Sequence, residues 1–384
     1  MKQLFLAMLI LSLNADYAPD ATRTTFALGG ERAMAIQYDG SLWGWGANPW
    51  GLLGDGTTED RHSPVFIMDD VISVSIGLSH AMVIRRDNNL WGWGSNYHWQ
   101  LGFGERDDFQ HEPVWIMDDV IAVSVGSSHT MAITSDDTLW GWGFNDMGQV
   151  GNGQRGSWVH APEKIMDDVI AVHADGSRTF AITSDGNLWG WGWNIDGYIT
   201  GTRTENTSIR TPVLIIDDVV RVTSGGARTY AIRDDGTLWG WGPNNDGFLG
   251  EGRVAGPTMI MDDVVAIAST SSNSMAVTSD GTLWGWGLDL YQLHSNEATM
   301  GMSHRLDWFI AYLDGLLDGM FITTDPIRIT DNVMAVAAAG QNVLVIKNSG
   351  GLYSWGNNFY GQVGDGTTID QPYPIRIMDN IMLP

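Results

Sequence analysis

The chain contains no cysteine, which excludes a disulfide framework, a thiolate metal site and a cysteine nucleophile. Basic residues are scarce: 20 Lys and Arg against 45 Asp and Glu in 384 residues, a formal net charge of −25. Nucleic acid and anionic lipid both require a basic footprint, so neither is expected as a partner, whereas a neutral or basic protein is. No stretch is long and apolar enough to span a bilayer, so no membrane insertion is expected. Helical periodicity is almost absent, which argues against a helical solenoid. The nine histidines are scattered singly, and no Ser–His–Asp order or metal-ligand cluster stands out. The "GDGT" at Gly54 and Gly364 lacks the lysine and following helix of a phosphate site. No catalytic residue, metal or cofactor is therefore assigned, and the chain reads as a non-enzyme.

The one marked apolar run is N-terminal. In "MKQLFLAMLILSLNADYA", Lys2 precedes an apolar stretch from Leu4 to Leu13 and then small residues, the layout of an export signal. Residues 1–21 are expected to be a signal peptide, and the protein secreted or displayed at the cell surface; without export it would be cytoplasmic. Asp16 and Pro19 depart from the usual cleavage pattern.

What the chain has in abundance is glycine (48) and tryptophan (19), concentrated in one pentapeptide. "LWGWG" begins at Leu42, Leu90, Leu139, Leu188, Leu238 and Leu283, with a worn copy, "LYSWG", at Leu352. The gaps are 48, 49, 49, 50, 45 and 69 residues, close to a fixed period. Within one period lie four short segments of alternating character, separated by glycine, Asp-Asn and Asp-Asp turns. Four short strands per 45–50 residues are the signature of a propeller blade. The expected fold is all-β: a seven-bladed β-propeller of four-stranded antiparallel blades occupying residues 22–384, its ring closed by the N- and C-terminal segments. The C-terminal "PIRIMDNIM" from Pro374 matches the segment that precedes each internal repeat, and it is expected to close the ring beside Phe26–Gly29. Alternation puts both indoles of "LWGWG" on one face and the glycines on the other, so blades are expected to stack large face against small.

The repeat resembles the regulator of chromosome condensation repeat family. The pattern of glycine, two residues, histidine, an apolar strand, a turn and then "WGxNxxGQLG" appears here as "GLSHAMVIRRDNNLWGWGSNYHWQLG" from Gly77. It recurs as "GSSHTMAITSDDTLWGWGFNDMGQVG" from Gly126, and "LYSWGNNFYGQVGDGT" from Leu352 matches its second half. The resemblance runs from Phe26 to the C-terminus and implies a seven-bladed propeller. The family's histidine is kept at His80 and His129 but is Arg32, Arg178, Arg228, Asn273 and Asn342 elsewhere. A position that takes His, Arg or Asn points to hydrogen bonding in a turn rather than metal ligation. The sixth repeat departs most: "GLDLYQLHS" replaces the asparagine and glycine segment, and an insertion of amphipathic character follows at about 294–322. That insertion either caps the degenerate blade or projects as a partner-binding element.

With strands A to D in chain order, the B–C turns and D–A links fall on one rim. There the doublets Asp69-Asp70, Asp118-Asp119 and their equivalents accumulate. Turn chemistry and solubility account for them better than a bound cation or a basic partner. The opposite rim carries the long, variable C–D loops, with Trp50, Tyr97, Trp99, Trp158, Trp193, Tyr198, Phe248 and Tyr360. Arg106, Arg155 and Arg203 lie there too, beside Arg61, Arg210 and Arg253. Tryptophan, tyrosine and arginine on variable loops over a rigid scaffold are the chemistry of protein-binding hot spots. This rim is the expected binding face, the partner another protein, and the propeller a monomer. The resemblance implies two forms of such binding: inhibition of an enzyme such as a β-lactamase, as in some secreted bacterial members, or guanine-nucleotide exchange on a small GTPase, as in the founding nuclear member. The acidic balance and the absence of a basic nuclear-targeting tail count against the second. A third reading uses the loop tryptophans as platforms for glycans.

Overall fold

The computed structural model describes residues 23–103, 109–154, 156–202, 207–244, 249, 256–288 and 322–383. The expected signal at 1–21 and most of the sixth-blade insertion lie outside them. Seven four-stranded antiparallel sheets are arranged as blades, each built from consecutive strands in the order A-B-C-D. The first comprises A (Phe26–Gly29), B (Arg32–Ile36), C (Leu42–Gly46) and D (Arg61–Met68). The A strands line a central channel of about 1040 Å³, and the D strands form the outer edge.

Position within the blade explains composition. Strand B is covered by a neighbouring blade on both faces, and it is buried end to end in "RAMAI" of the first blade and "HTMAIT" of the third. Both read as continuous small and apolar runs for that reason. Strand D is the sheet edge, and Pro64, Pro113, Pro162 and Pro212 all fall in it. At an edge a missing N–H removes no ladder bond, and proline discourages a further strand from adding on.

The ring closes inside a single inner strand. In the other blades strand A begins with a pair such as Val71-Ile72, where Val71 pairs with Arg85 ahead of a bulge. In the first blade that pair is supplied by the C-terminus: Ile381 bridges Gln37, and the Met382 N–H donates to the Ile36 carbonyl at 2.8 Å. The N-terminal Phe26–Gly29 then continues the same strand against strand B. The expected closure beside Phe26–Gly29 is found, with both chain ends sharing one strand of one blade.

The packing of the pentapeptide differs from the expectation in one respect. Its second tryptophan (Trp45, Trp93, Trp142, Trp191, Trp241, Trp286 and Trp355) is fully buried in every blade. What it meets, however, is not the glycine face of the next "LWGWG". That face is covered by the blade's own side chains: a Cβ on Gly44 would touch Ile67 and Leu53, and one on Gly92 would strike Met82. In four blades the indole instead rests on a glycine in the C–D loop of the preceding blade. A Cβ on Gly54, Gly102, Gly151 or Gly364 would come within 2.5–2.8 Å of the Nε1 of Trp93, Trp142, Trp191 or Trp45. The small surface lies in the loop because there bare backbone, with no side chain of its own blade over it, faces the neighbouring indole. The first tryptophan is half-buried and in five blades holds the B–C turn, as where Trp43 Nε1 donates to Ser41 Oγ at 3.0 Å.

The glycine contact makes a direct prediction. Gly102→Ala adds a methyl against Trp142 in a left-handed backbone (φ +78°) and should cost about 2–3 kcal/mol in urea unfolding. Gly340→Ala, also left-handed (φ +57°) but with nothing within 4 Å, should cost only about 1 kcal/mol.

Candidate functional site

Two buried polar devices hold the long loops in place. The loop asparagine that follows "WGWG" by one residue accepts the backbone N–H five residues on: Leu53 on Asn48 (2.8 Å), Leu101 on Asn96 (3.0 Å), Val150 on Asn145 (3.0 Å) and Val363 on Asn358 (2.9 Å). The side chain closes the loop as a turn would. The second device is the loop carbonyl beside the packed glycine, which accepts the indole Nε1–H of the next blade. Trp93 donates to Leu52 O (3.0 Å), Trp142 to Gln100 O (2.9 Å), Trp191 to Gln149 O (2.9 Å), Trp241 to Ile199 O (2.7 Å) and Trp45 to Gln362 O (3.1 Å). The Trp355 Nε1 is buried without a partner among the described residues.

The family's histidine position joins the same network. His80 Nε2 lies 2.9 Å from Thr130 Oγ1, and that hydroxyl donates to Gln100 O at 2.8 Å. The threonine proton is therefore committed, so His80 donates through Nε2–H and its Nδ1 is left as a bare, buried lone pair. His129, Thr179 and Gln149 O repeat the arrangement at 2.9 and 2.7 Å. Arg32 occupies the position in the first blade and donates to the carbonyls of Gly77 and Leu78, both at 2.9 Å; Arg178 reaches Gly226 O at 2.8 Å. At the histidine and arginine positions the role is hydrogen bonding across blades, whereas Asn342 donates within its own blade, to Asn357 O at 2.6 Å. Burial pushes the His80 pKa down to about 3 and that of His129 down to about 4.

The A–B turns and C–D loops share one rim, joined by bonds such as Ser95 N–H to Ser79 O (2.8 Å) and Phe144 N–H to Ser128 O (2.9 Å). On this rim Trp50, Tyr97, Trp99 and Trp158 come together across the first three blades, linked by aromatic residues that sequence reasoning missed. Trp50 stacks on Phe109 with centroids 6.0 Å apart. Tyr97 stands edge-on to His98, which packs against Phe144, each at 4.8 Å. Trp158 Nε1 donates to His98 Nδ1 at 3.1 Å, and Trp99 lies between Trp158 (5.7 Å) and His160 (4.2 Å). A cleft of about 280 Å³ opens between Trp50, Leu78, Tyr97 and Phe109; Trp50 is 61% exposed and Leu78 60%.

Two of these tryptophans sit in left-handed backbone, Trp50 at φ 58° and Trp99 at φ 57°. Trp99 stands where the loops of other blades have Gly148 and Gly361, at φ 78° and 77°. A side chain in this region costs about 1–2 kcal/mol relative to glycine, and such strain concentrates at functional surfaces. The substitution is visible in the sequence, because "NYHWQLG" departs from "NDMGQVG" at that residue. Leu78 is equally visible, standing where other A–B turns have Gly30, Ser127 or Gly176.

The other expected residues are not part of this patch. Trp193 and Tyr198 form their own pair on the fourth blade (5.4 Å), with the Arg178 guanidinium over Tyr198. Tyr360 packs edge-on to Phe359 on the seventh. Arg61 is bound to Asp55 (2.7 Å), and Arg210 donates to Gln154 O (3.2 Å), so both brace loops. Arg106, Arg155, Arg203, Phe248 and Arg253 lie outside the described residues. On the opposite rim the second member of each doublet is left-handed, from Asp70 (φ 62°) to Asp263 (φ 63°), a conformation that Asp and Asn tolerate. Asp39, Asp136, Asp185, Asp235 and Asp280 cap B–C turns, and hydrogen bonds from nearby Ser and Thr hydroxyls hold their pKa values down. Turn chemistry accounts for these aspartates.

A family model described as "RCC1-like domain" matches residues 12–305, and one for the "Regulator of chromosome condensation (RCC1) repeat" matches 349–381. Among solved structures, human WBSCR16 aligns with a TM-score of 0.71 at 20% identity, over 88% of this chain and 94% of that one. Yeast RCC1 (Prp20) bound to Kap60 gives 0.74 at 18%, over 90% and 85%. Prp20p from Saccharomyces cerevisiae, described with its binding properties to Gsp1p and histones, gives 0.75 at 19%, over 90% and 88%. At these identities the likeness is one of fold.

The buried histidines predict a pH response. With folded pKa values of about 3 and 4 against an ordinary 6.5, the unfolded chain binds more protons as pH falls below 6.5. Their contribution to stability is complete above that pH and shrinks down to about 4, by roughly 1.4 kcal/mol per pH unit for each histidine. Asparagine serves the same position in two blades, so a His80→Asn, His129→Asn variant should show a flatter decline in Tm between pH 6.5 and 4. An unchanged slope would contradict the assignment.

Proposed function

The chain belongs to the RCC1-like domain family, and from that premise we propose that it is a non-catalytic propeller that binds another protein through the aromatic surface of its first three blades. The observation that carries this reading is the pair of aromatic groups flanking one cleft, Trp50 on Phe109 and the Tyr97-to-His160 cluster, with two of their tryptophans held in left-handed backbone. Aromatic anchors of low side-chain entropy on a rigid support are what protein hot spots use. A protein partner is also in keeping with Prp20, a structural relative seen bound to Kap60 and described with Gsp1p and histones. Residues 1–21 have the layout of an export signal, so we place the protein outside the cytoplasm, where covering a partner's working surface would act as inhibition.

The test is affinity capture from extracellular and intracellular fractions, with the folded protein and a Trp50→Ala, Trp99→Ala, Trp158→Ala variant. Leu214→Ala, on an outer edge strand, serves as control. Capture should fall by about tenfold or more for the triple variant and stay unchanged for the control. Equal capture by all three would remove binding from this face. Faster release of labelled GDP from a captured GTPase would identify nucleotide exchange instead of inhibition.

A further inference from the structure

The mouth of the central channel on the acidic rim carries an apolar arc that the loop-rim reading leaves unused. The second residue of strand A is Ile170, Val220, Val265 and Met334 in four consecutive blades, the fourth to the seventh, and each is 40–46% exposed. Val220 lines the channel, and the others hold the same register position in their blades. On the other side of the mouth the equivalents Ile72 and Met382 are buried and packed into the cores between blades. The exposed apolar surface is therefore one-sided. Isolated exposed apolar residues need no explanation, but four adjacent ones at the edge of a channel do.

The charge around this arc is strongly of one sign. Each strand A is preceded by its Asp doublet or Asp-Asn pair, so the arc sits inside a ring of carboxylates. The described cations on this rim are largely committed: Arg85 to Asp70 (3.1 Å), Lys164 to Asp167 (2.7 Å) and Arg233 to Asp217 (3.1 Å), with Arg328 and Arg376 held by Asp331 and Asp379. Asp168, Asp218 and Asp262 make no ion pair among the described residues. Turn geometry explains why aspartate stands at these positions, but it does not explain why the strand beginning beside each one exposes a large apolar side chain. Arg221 lies one residue further along strand A and lines the channel. A cation entering that far would be repelled, so the surface favours cations at the ring and an apolar side chain inside it.

We infer that this mouth is a second docking surface, for a basic amphipathic protein segment whose apolar side chain enters the arc of Ile170, Val220, Val265 and Met334 while its lysines or arginines meet the surrounding aspartates. The site is on the face opposite the aromatic loops and is independent of the proposed function. Attraction by the aspartates falls with added salt, whereas the apolar contact persists. The two contributions are separable.

The experiment is fluorescence anisotropy with the full-length protein and three labelled peptides of equal length: alternating Lys and Leu, Lys and Ser, and Glu and Leu. Binding of the Lys-Leu peptide should be at least about tenfold tighter than that of either other peptide, as expected for an apolar side chain buried beside paired charges. A Val220→Lys, Val265→Lys variant, with folding checked by thermal melt, should lose that binding, and Trp50→Ala should retain it. Equal binding of the Lys-Ser peptide would reduce the effect to unspecific charge attraction and overturn the inference. So would full binding by the double-lysine variant, failure of the Lys-Leu peptide to bind, or loss of binding in Trp50→Ala, which would move the contact to the loop rim.

Discussion

One hydrogen bond, repeated at five blade junctions, organises the molecule: the carbonyl of a long loop receiving the indole N–H of the next blade. It forms where a glycine gives the indole a flat place to lie, so burial and polarity are satisfied in one contact. A buried tryptophan brings a large apolar area but carries an N–H that is costly to leave unpaired. A loop brings backbone carbonyls that are costly to bury. Each supplies what the other lacks, and at Gln100 and Gln149 a threonine of the next blade, held by His80 or His129, donates to the same carbonyl. The blades thereby lock their neighbours through the very loops that form the exposed rim.

This arrangement explains how a uniform scaffold supports a varied surface. The loop asparagine, the packed glycine and the accepting carbonyl fix the loops of the first, second, third and seventh blades at their bases and leave the intervening residues free to differ. In the second blade that freedom includes Trp99 in a left-handed position that glycine fills elsewhere. The strain is sustained because the backbone on either side is pinned, by Asn96 on one side and by the bonds to Gln100 O on the other. The opposite rim has no such freedom. Its links are two residues long, the second left-handed, and aspartate or asparagine meets that demand blade after blade.

The ring was legible in the sequence because its determinants are local and repeated. Period, alternation and turn residues recur seven times, and the orphan segment at Pro374 disclosed the closure. The partner face of the tryptophans was not legible. Alternation says which side of a strand a residue lies on but not what crosses from the next blade, so the loop glycines were overlooked in favour of the glycines inside the pentapeptide. The aromatic surface was half legible for the same reason. Trp50, Tyr97, Trp99 and Trp158 stood out by residue type, whereas Phe109 and His160, in strand D, and His98 and Phe144 join only once blades are set side by side. Arg61 and Arg210 looked like binding residues and are loop braces, because their acidic and carbonyl partners are placed by the turn rather than by sequence proximity.

The lock between blades requires the indole N–H to be sequestered there, and hydrogen exchange of the tryptophan side chains reads this directly. In an NMR experiment with 15N-labelled tryptophan, the Nε1–H of Trp45, Trp93, Trp142, Trp191 and Trp241 should exchange only at the rate of global unfolding. Those of the half-buried Trp43, Trp140 and Trp239, bonded to turn hydroxyls, should exchange much faster. Comparable, fast exchange for both sets would mean that the loop carbonyls do not lock the blades, and the explanation of the rigid rim would fall with them.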